Sequence, residues 1–338
     1  MLYVRADGNG KIGMGHIMRC VSIAKEIMKK GYEVKFLLAS NEPTDVLRDA
    51  NIPYSLLNTT YTQMEEELDM LTEILSEDDK ILVDSYYVTN KYLRCLKNIC
   101  AVFYMDDVHS FEYPTDMIIN GNIYGNREKY VAKKVLGGCQ YAPLRSEFKQ
   151  AREKRKPQKI LLTTGSSDPF GLTEKITKRI LEDELLMQQE VDVICGKYNA
   201  SYDALKKIEE RHKNIRVHRN VSDMWEYMKT AMLAISAGGT TMTELGCMGV
   251  PIVCFSFVDN QDNIVRTFAE DGYAHYGGFW INEGERLIDN ICVAAKELVS
   301  DSKLRETYSK KLMELIDGKG CERIAEQIIS FEKRNWNE

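Results

Sequence analysis

The stretch RADGNGKIGMGHIMRC, Arg5–Cys20, joins a short apolar run to a long helical pattern. It contains the spacing G-x-G-x-x-G at Gly8, Gly10 and Gly13, and it reaches His16 three residues later. Glycine-rich turns between a strand and a helix are typical of α/β domains, where they hold phosphorylated ligands. The stretch therefore predicts an α/β domain with a ligand site at this turn. Two interpretations are open: a dinucleotide coenzyme site, or a loop that presents a histidine to another ligand.

The coenzyme interpretation is disfavoured by two departures from the dinucleotide pattern. The third glycine of that pattern packs the helix closely on the sheet, whereas Gly13 is followed by Gly15, and loop glycines so close together make a poor helix. The second strand should end in an acidic residue for the ribose hydroxyls, whereas KFLLAS ends in Ala39 and Ser40. We therefore expect no nicotinamide or flavin cofactor.

The second interpretation makes His16 the chemical group of the loop. Glycines allow the main chain to approach a ligand without a side-chain clash. The positive end of a helix dipole disfavours a protonated imidazole, so we expect His16 to be uncharged near pH 7, to face solvent and to act as a general base. The alternative is that His16 only caps the helix.

Short apolar runs alternate with helical patterns along the whole chain, which predicts parallel sheets covered by helices. The predicted strands are LYVRA, EVKFLLA, YSLL, KILVDS, AVFYMDD and DMIING in the first half, and KILLTTG, VDVICG, IRVHR, LAISAGG and PIVCFSF in the second. HIMRCVSIAKEIMKKG has apolar residues at helical spacing, with Gly31 placed to end the helix.

The domain organisation follows from a change in composition at EFKQAREKRKPQ, which is charged and almost free of apolar residues. We interpret residues 147–158 as a linker, the alternative being a solvated surface helix. The chain is then two doubly wound domains facing across a cleft, 1–146 and 159–338, with the ligand site beyond the carboxyl ends of the strands. We expect the last helical segment, which leads to Trp336, to pack back on the first domain.

Composition and charge restrict the partners of the protein. The chain has 338 residues, of which 44% are hydrophobic and 28% charged, and a net charge of −6, which gives no reason to expect a nucleic acid or a membrane surface as partner. Nine scattered cysteines without a C-x-x-C pair indicate a reducing compartment. The chain opens on a strand-like run rather than a signal peptide and has no apolar run of membrane-spanning length, so we expect a cytoplasmic protein.

Two acidic motifs lie at the carboxyl ends of predicted strands of the first half, VDSYY at Val83–Tyr87 and MDDVH at Met105–His109. Aspartates at such positions are also common turn formers. The Asp106–Asp107 pair invites a metal site, but no spaced histidine or glutamate supports one. We therefore expect no bound metal.

Two further motifs in the second half are suited to anions. TTGSSDPFGLT, Thr163–Thr173, has the pattern of a strand, a small polar turn and a helix, which predicts an anion nest. SAGGTTMTELGCMGVP, Ser236–Pro251, ends a strand in two glycines and opens a helix whose free amides suit a pyrophosphate. Glu244 lies one turn along, where it either accepts hydrogen bonds from a ribose or remains an exposed carboxylate.

Together these stretches resemble the family of the UDP-2,4-diacetamido-2,4,6-trideoxy-β-L-altropyranose hydrolases of pseudaminic acid biosynthesis. RADGNGKIGMGHIMRC, VDSYY, MDDVH, YAPLRSEF, LLTTGSSDP, NVSDM, AGGTTMTELGCMGVP and DNQ occur in the family's order over nearly the whole chain. That family has the GT-B fold and is similar to the N-acetylglucosaminyltransferase of peptidoglycan synthesis. The resemblance implies metal-independent hydrolysis of a UDP-sugar at C1, with loss of UDP and inversion.

The resemblance also implies roles for individual residues. His16 would activate water, and Tyr86 would act at the sugar, while Ser85 stands where the family has a histidine. The uracil would be read by main chain near Val221 and Met224. The other residues expected to bind the substrate are Arg5, Asp7, Gly13, Gly15, Asp84 and Gly165, with Gly238, Gly239, Thr240 and Thr241 at the diphosphate, Glu244 at the ribose, and Asn260 and Gln261 at the sugar.

Alternatives from other classes remain at this stage. A glycosyltransferase of the same fold would use His16 on an acceptor hydroxyl instead of water. A non-catalytic protein would bind the UDP-sugar without releasing sugar. The exact sugar and the oligomeric state are not determined by the sequence, which is compatible with a monomer.

Overall fold

The structure is a computed structural model that describes residues 1–332, and within this range the side chain of Asn260 lies outside the description. The chain divides into two compact units. Of the described residues, unit 1 contains 1–145 and 318–332, and unit 2 contains Ser146–Asp317. Trp336 lies outside the described residues.

Unit 1 is built on a seven-stranded parallel sheet. Its strands are β1 Leu2–Ala6, β2 Val34–Leu38, β3 Tyr54–Leu56, β4 Lys80–Asp84, β5 Ala101–Met105, β6 Met117–Asn120 and β7 Lys134–Gly137, and its first helices are α1 Gly15–Lys29, α2 Thr44–Asp49, α3 Leu68–Ile74 and α4 Asn90–Ile99. The strand order is β3-β2-β1-β4-β5-β6-β7. Separate apolar clusters cover its two faces, so β5 is buried along its entire length.

Unit 2 repeats this plan with six parallel strands in the order β10-β9-β8-β11-β12-β13. The strands are β8 Lys159–Thr163, β9 Val191–Cys195, β10 Ile215–Arg219, β11 Ala231–Ala237, β12 Ile252–Ser256 and β13 His275–Phe279. The helices are α5 Ser146–Arg152, α6 Leu172–Glu182, α7 Tyr202–Arg211, α8 Met224–Thr230, α9 Thr240–Met248, α10 Asp259–Glu270, α11 Trp280–Glu283, α12 Arg286–Ser300 and α13 Ser302–Leu315.

The predicted fold class, two doubly wound α/β sheets, is confirmed. Helix α1 ends at Lys29 with Gly31 in the left-handed conformation, as its position in the sequence predicts. Two strands were not predicted, and β13 shows why: it contains Gly277 and Gly278, which rarely occur in strands. A β-carbon at Gly277 would lie 2.6 Å from Ile291, so glycine is required where α12 packs closely on this strand.

The strand order gives each unit one switch point, where successive connections leave the sheet in opposite directions. In unit 1 it lies between β1 and β4, and in unit 2 between β8 and β11. Ligands of doubly wound sheets bind at the carboxyl ends of the strands at these points. The loops after β1, β4, β8 and β11 are therefore the first places to search for a site.

The first part of the segment 147–158, the predicted linker, belongs to α5 in unit 2. Phe148 of this helix is buried and meets Trp225 edge to face, with ring centroids 5.7 Å apart. The last described helix, α14 Gly320–Ile329, lies in unit 1 and packs on α1, burying Ile324 and Ile328. None of the described helices is long and apolar enough to span a bilayer.

Candidate active site

The glycine-rich loop after β1 is an ordered turn. Asn9 and Gly13 exchange two backbone hydrogen bonds, of 3.2 and 2.9 Å. The Asn9 side chain accepts from the backbone N–H groups of Lys11 and Ile12, which closes the turn. Gly13 has a φ of 76°, where glycine is favoured. The loop therefore delivers α1 to the sheet in one fixed orientation.

His16 lies in the first turn of α1, and its side chain is bound by a residue of β4, the strand that pairs with β1. Its Nδ1 is 2.6 Å from Oδ1 of Asp84, the last residue of β4. Only 8% of His16 is exposed, so the expectation that the ring faces solvent is wrong. The ring is buried because its Nδ1 edge meets Asp84 and Tyr86 packs against it. The capping alternative also fails, because no described side chain caps α1.

The contact with Asp84 determines which ring nitrogen is available for chemistry. The buried carboxylate accepts a hydrogen bond, so the proton of a neutral imidazole resides on Nδ1 and the lone pair on Nε2. Among the described residues none forms a hydrogen bond with Nε2. A histidine oriented by a carboxylate in this way can accept a proton from a bound molecule.

Arg19, one turn further along α1, also binds Asp84. Its Nε and Nη2 each lie 2.6 Å from an oxygen of the Asp84 carboxylate, in a two-pronged ion pair. Burial alone would raise the pKa of Asp84, but Arg19, with a smaller contribution from His16, holds it well below its usual range. Asp84 is therefore ionised at neutral pH.

Tyr86 completes the surroundings of the imidazole. Its ring meets that of His16 edge to face, with centroids 4.6 Å apart and an interplanar angle of 81°. The Tyr86 hydroxyl donates to Asp107, 2.9 Å away. Burial and, next, the Asp107 carboxylate raise the pKa of Tyr86, so the phenol keeps its proton and remains a donor.

The two aspartates after β5 have different surroundings. Asp106 is buried and accepts from the backbone of Val108 and His109 and from two tyrosine hydroxyls, which is the turn-forming alternative. Asp107 instead binds Arg19 Nη1, at 2.8 and 3.0 Å. Ser85, which follows Asp84, accepts a hydrogen bond from the Tyr87 N–H and therefore also stabilises a turn.

Arg5 and Asp7 lie inside unit 1 instead of facing a ligand. Arg5 is fully buried and pairs with Asp7 and with Glu67, whose carboxylate is 2.7 Å from the Arg5 Nε. Asp7 also accepts from the Ala39 N–H at 2.9 Å, which joins β1 to the end of β2. We therefore assign both residues to the support of the loop and do not retain them as substrate contacts.

The depressed pKa of Asp84 predicts a pH-dependent contribution to stability. An unpaired aspartate titrates near about 3.9, so the stabilisation by Asp84 is fully present above that pH and is lost as the pH falls toward the lower folded-state value. We expect Asp84→Asn to lower Tm most at neutral pH, with a gap from wild type that narrows below about pH 4. The exposed control Asp289→Asn should show a difference in Tm that stays constant between pH 3 and 7. A constant difference in Tm for Asp84→Asn would contradict this prediction.

In unit 2, the amino terminus of α9 is the site best suited to an anion. The helix follows β11 at the switch point and begins at Thr240, with Gly239 before it. Its first turn contains no acidic residue, and no side chain in the described part of the chain caps it. Thr240 is exposed and Thr241 half-buried. The unpaired amides and the helix dipole together favour a phosphate group here.

The other predicted anion nest is wrong, because the chain fills it. At α6 the carboxylate of Asp168 accepts from the N–H groups of Leu172 and Thr173, at 2.9 and 2.7 Å, and from the Thr173 hydroxyl. An anion at this helix would meet a charge of its own sign. Gly165, in the same loop, has a φ of 87° and open space at its β-carbon position.

Gly238 and Gly239 have different physical reasons to be glycine. A β-carbon at Gly238 would lie 2.6 Å from Val265 and 2.9 Å from Gln261, so this residue lets α10 approach. Its N–H already donates to the Phe255 carbonyl, which removes it as a phosphate ligand. Gly239 has a φ of 151° and nothing within 4 Å of that position. The Gln261 amide oxygen accepts from Phe257 N–H, at 3.2 Å.

The remaining predicted residues of unit 2 lie around α9. Met224 begins α8, which packs on α9, and Val221 lies between β10 and α8. Glu244 lies one turn into α9 and is partly exposed, with an interaction of its own. Asn260 belongs to α10, and its side chain is outside the described set. Within the described residues no group of three or more His, Cys, Asp or Glu side chains is arranged to hold a metal ion.

Sequence reasoning missed two residues of the unit 1 site, Arg19 and Asp107. A signal for Arg19 was present, because a residue three positions after His16 lies on the same helix face. Asp107 was noticed, but nothing in MDDVH distinguishes it from its neighbour Asp106. Only the fold shows which of the two aspartates meets Arg19.

Comparisons with known proteins agree with this architecture. Residues 135–327 match the glycosyltransferase family 28 C-terminal domain. The chain is similar to the spore coat polysaccharide biosynthesis protein SpsG of Bacillus subtilis (strain 168), with 27% identity over 333 residues, covering 94% of this chain and 95% of that protein. It is also similar to the UDP-2,4-diacetamido-2,4,6-trideoxy-β-L-altropyranose hydrolase of Campylobacter jejuni, with 20% identity over 279 residues, covering 80% and 96%. The crystal structure of MurG from Acinetobacter baumannii has a TM-score of 0.69 at 16% identity, covering 98% and 99%, which shows the GT-B fold.

Proposed function

Because the chain belongs to the family of the glycosyltransferase family 28 C-terminal domain, we propose that it processes a UDP-sugar and releases the sugar by hydrolysis at C1. The observation that carries this proposal is the His16–Asp84 pair, with Nδ1 bound to the carboxylate and Nε2 without a protein partner among the described residues. Water that attacks C1 must lose a proton, and the Nε2 of His16 is a base that can accept it.

We assign the nucleotide to unit 2. The amino terminus of α9, with Gly239, Thr240 and Thr241, would bind the diphosphate through backbone N–H groups, as its lack of acidic residues supports. Main chain near Val221 and Met224 would read the uracil.

The ribose and the sugar complete this assignment. Glu244 would accept hydrogen bonds from the ribose hydroxyls, and Asn260 and Gln261 would contact the sugar. In unit 1, Gly13 and Gly15 would allow substrate to approach closely, because a β-carbon at either position meets nothing within 4 Å.

The proposed reaction is one displacement. His16 Nε2 removes a proton from water as the water oxygen bonds to C1, and the bond from C1 to the phosphate oxygen breaks with its electron pair leaving on UDP. Backbone amides stabilise the departing diphosphate. Attack from the face opposite UDP inverts the configuration at C1. Tyr86 would position the imidazole and the sugar.

The substrate that we propose is UDP-2,4-diacetamido-2,4,6-trideoxy-β-L-altropyranose, whose free sugar serves pseudaminic acid biosynthesis. The similarity to the Campylobacter jejuni hydrolase supports this choice, and the similarity to a spore coat polysaccharide protein supports a role in surface polysaccharides more generally.

A glycosyltransferase is the second candidate, and the family to which the chain belongs favours it. In that case His16 would take the proton from an acceptor hydroxyl instead of from water. The residues of the site are the same for both reactions, so geometry alone does not separate them.

Incubation of the protein with a panel of UDP-linked amino sugars, without any acceptor, separates the two reactions. We expect stoichiometric UDP and free sugar, detected by mass spectrometry. UDP-sugar that binds but stays intact until a hydroxyl acceptor is added would identify a transferase. Binding with no turnover under either condition would identify a non-catalytic protein.

A further inference from the structure

We propose that Arg19 is a positioning residue that, through its contacts with Asp84 and Asp107, fixes the orientation of His16 and offsets the charge of both carboxylates at its imidazole. The inference rests on the proposed function, in which His16 is the base. Arg19 itself contacts neither substrate nor water in this assignment, and it acts only through the groups around the imidazole.

The first observation is that one guanidinium joins two carboxylates from different strands. Nε and Nη2 bind Asp84 at the end of β4, and Nη1 binds Asp107 after β5. The Arg19 side chain is only 13% exposed and Asp84 is fully buried, so water screens these contacts little. A planar fork of donors suits this bridge, whereas a lysine ammonium does not reproduce it.

The second observation is that each carboxylate holds a group at the His16 ring, Asp84 directly and Asp107 through Tyr86. Asp84 holds Nδ1 at 2.6 Å, and Asp107 holds the hydroxyl of Tyr86, whose ring lies against the imidazole. Arg19 therefore fixes the ring from the Nδ1 side and from the side of Tyr86. Asn122 also donates to Asp107, at 3.1 Å, which keeps that carboxylate in place.

The third observation concerns charge. Among the described residues, the ionisable groups in contact with the imidazole are Arg19 of α1, Asp84 of β4 and Tyr86 of the loop after β4, with Asp107 behind Arg19. Two carboxylates near an imidazole favour its protonated form, in which it is no base. Arg19 Nη2 lies 3.3 Å from Nδ1, so its positive charge opposes that effect. The bridge thus places one positive charge beside the ring to oppose the two carboxylates.

Three variants test the proposal through the pH dependence of kcat/KM. In Arg19→Gln the carboxylates are unopposed, so we expect the acid limb to move to higher pH and kcat to fall by about 10²-fold through misplacement of the ring. Arg19→Lys keeps the positive charge but loses the bridge between Asp84 and Asp107. We therefore expect kcat to fall while the acid limb stays near that of wild type. In Asp107→Asn one negative charge is lost, so the acid limb moves to lower pH.

Opposite shifts in Arg19→Gln and Asp107→Asn are a result that general structural damage does not produce. Equal pH profiles in all the variants, or shifts in the same direction, would overturn the proposal. If Arg19→Gln does not fold, the other two variants still decide, since Arg19→Lys must separate rate from pH profile and Asp107→Asn must move the profile down. Arg179→Gln, which breaks the exposed pair with Asp289, is the matched control and should change neither.

A second readout is independent of the proposed reaction. The imidazole of His16 can be titrated by NMR in the full chain without substrate, with the signal assigned by its loss in His16→Asn. We expect protonation at higher pH in Arg19→Gln than in wild type. If wild type hydrolyses no UDP-sugar but this difference is present, the proposed function fails and the role of Arg19 stands. If turnover is normal and the titrations coincide, the inference about Arg19 fails alone.

Discussion

Replacing His16 by asparagine is expected to lower kcat by about 10²–10⁴-fold, the usual contribution of a general base, while UDP binds as in wild type. Asparagine keeps a polar side chain beside Asp84 but cannot accept the proton of water. Because the nucleotide is assigned to unit 2, its affinity does not depend on this side chain. The kcat is measured from the rate of UDP release, and the affinity for UDP is measured by calorimetry.

The matched control for this variant is His218→Asn. His218 also pairs with an aspartate, Asp192, at 3.2 Å, but it lies on β10 in unit 2. This change should leave kcat within a few-fold of wild type. Normal turnover in His16→Asn, with UDP binding intact, would contradict the assignment of His16 as base.

The second large effect is expected at the first residue of α9. Thr240→Asp places a carboxylate at a helix amino terminus, which stabilises the helix by about 0.3–1 kcal/mol and opposes a bound diphosphate. We expect Tm to stay the same or rise while the Kd for UDP increases by about 10²-fold or more, since like charges brought together cost several kcal/mol.

Thr240→Asn is the control, because it has nearly the same shape without the charge. A loss of affinity in Thr240→Asp alone, with both variants folded, indicates an anion at α9. Equal affinity for UDP in the two variants would move the diphosphate elsewhere, and the rest of the unit 2 assignment would fall with it.

The sequence predicted the sheets well because their strands are nearly continuous apolar runs. In β5, for example, every residue is buried, and the run AVFYM contains the β-branched and aromatic residues that favour strands. It failed at β7 and β13. The latter contains Gly277, which allows α12 to pack closely on the strand, and packing between distant segments leaves no local pattern.

The candidate site was predicted in part for a similar reason. His16 and Asp84 could be chosen because each lies at or after the carboxyl end of a strand in a recognisable motif, and the fold brings β1 and β4 side by side. Arg5, two residues before the glycine loop, was predicted to bind substrate, yet it points into the unit and pairs with Glu67, 62 positions away. Likewise, the motif around Asp168 has the sequence of an anion nest, but in the structure its own carboxylate binds the N–H groups of the helix terminus. Side-chain direction decides such cases, and it depends on contacts that spacing does not encode.

Attack of water on C1 is tested most directly by the mass of the UDP released in H2 18O without an acceptor. We expect UDP that carries no heavy oxygen, because the bond between C1 and the phosphate oxygen breaks and that oxygen leaves with UDP. UDP that contains one atom of 18O would contradict the account, since water would then have attacked phosphorus instead of the carbon that His16 is proposed to serve.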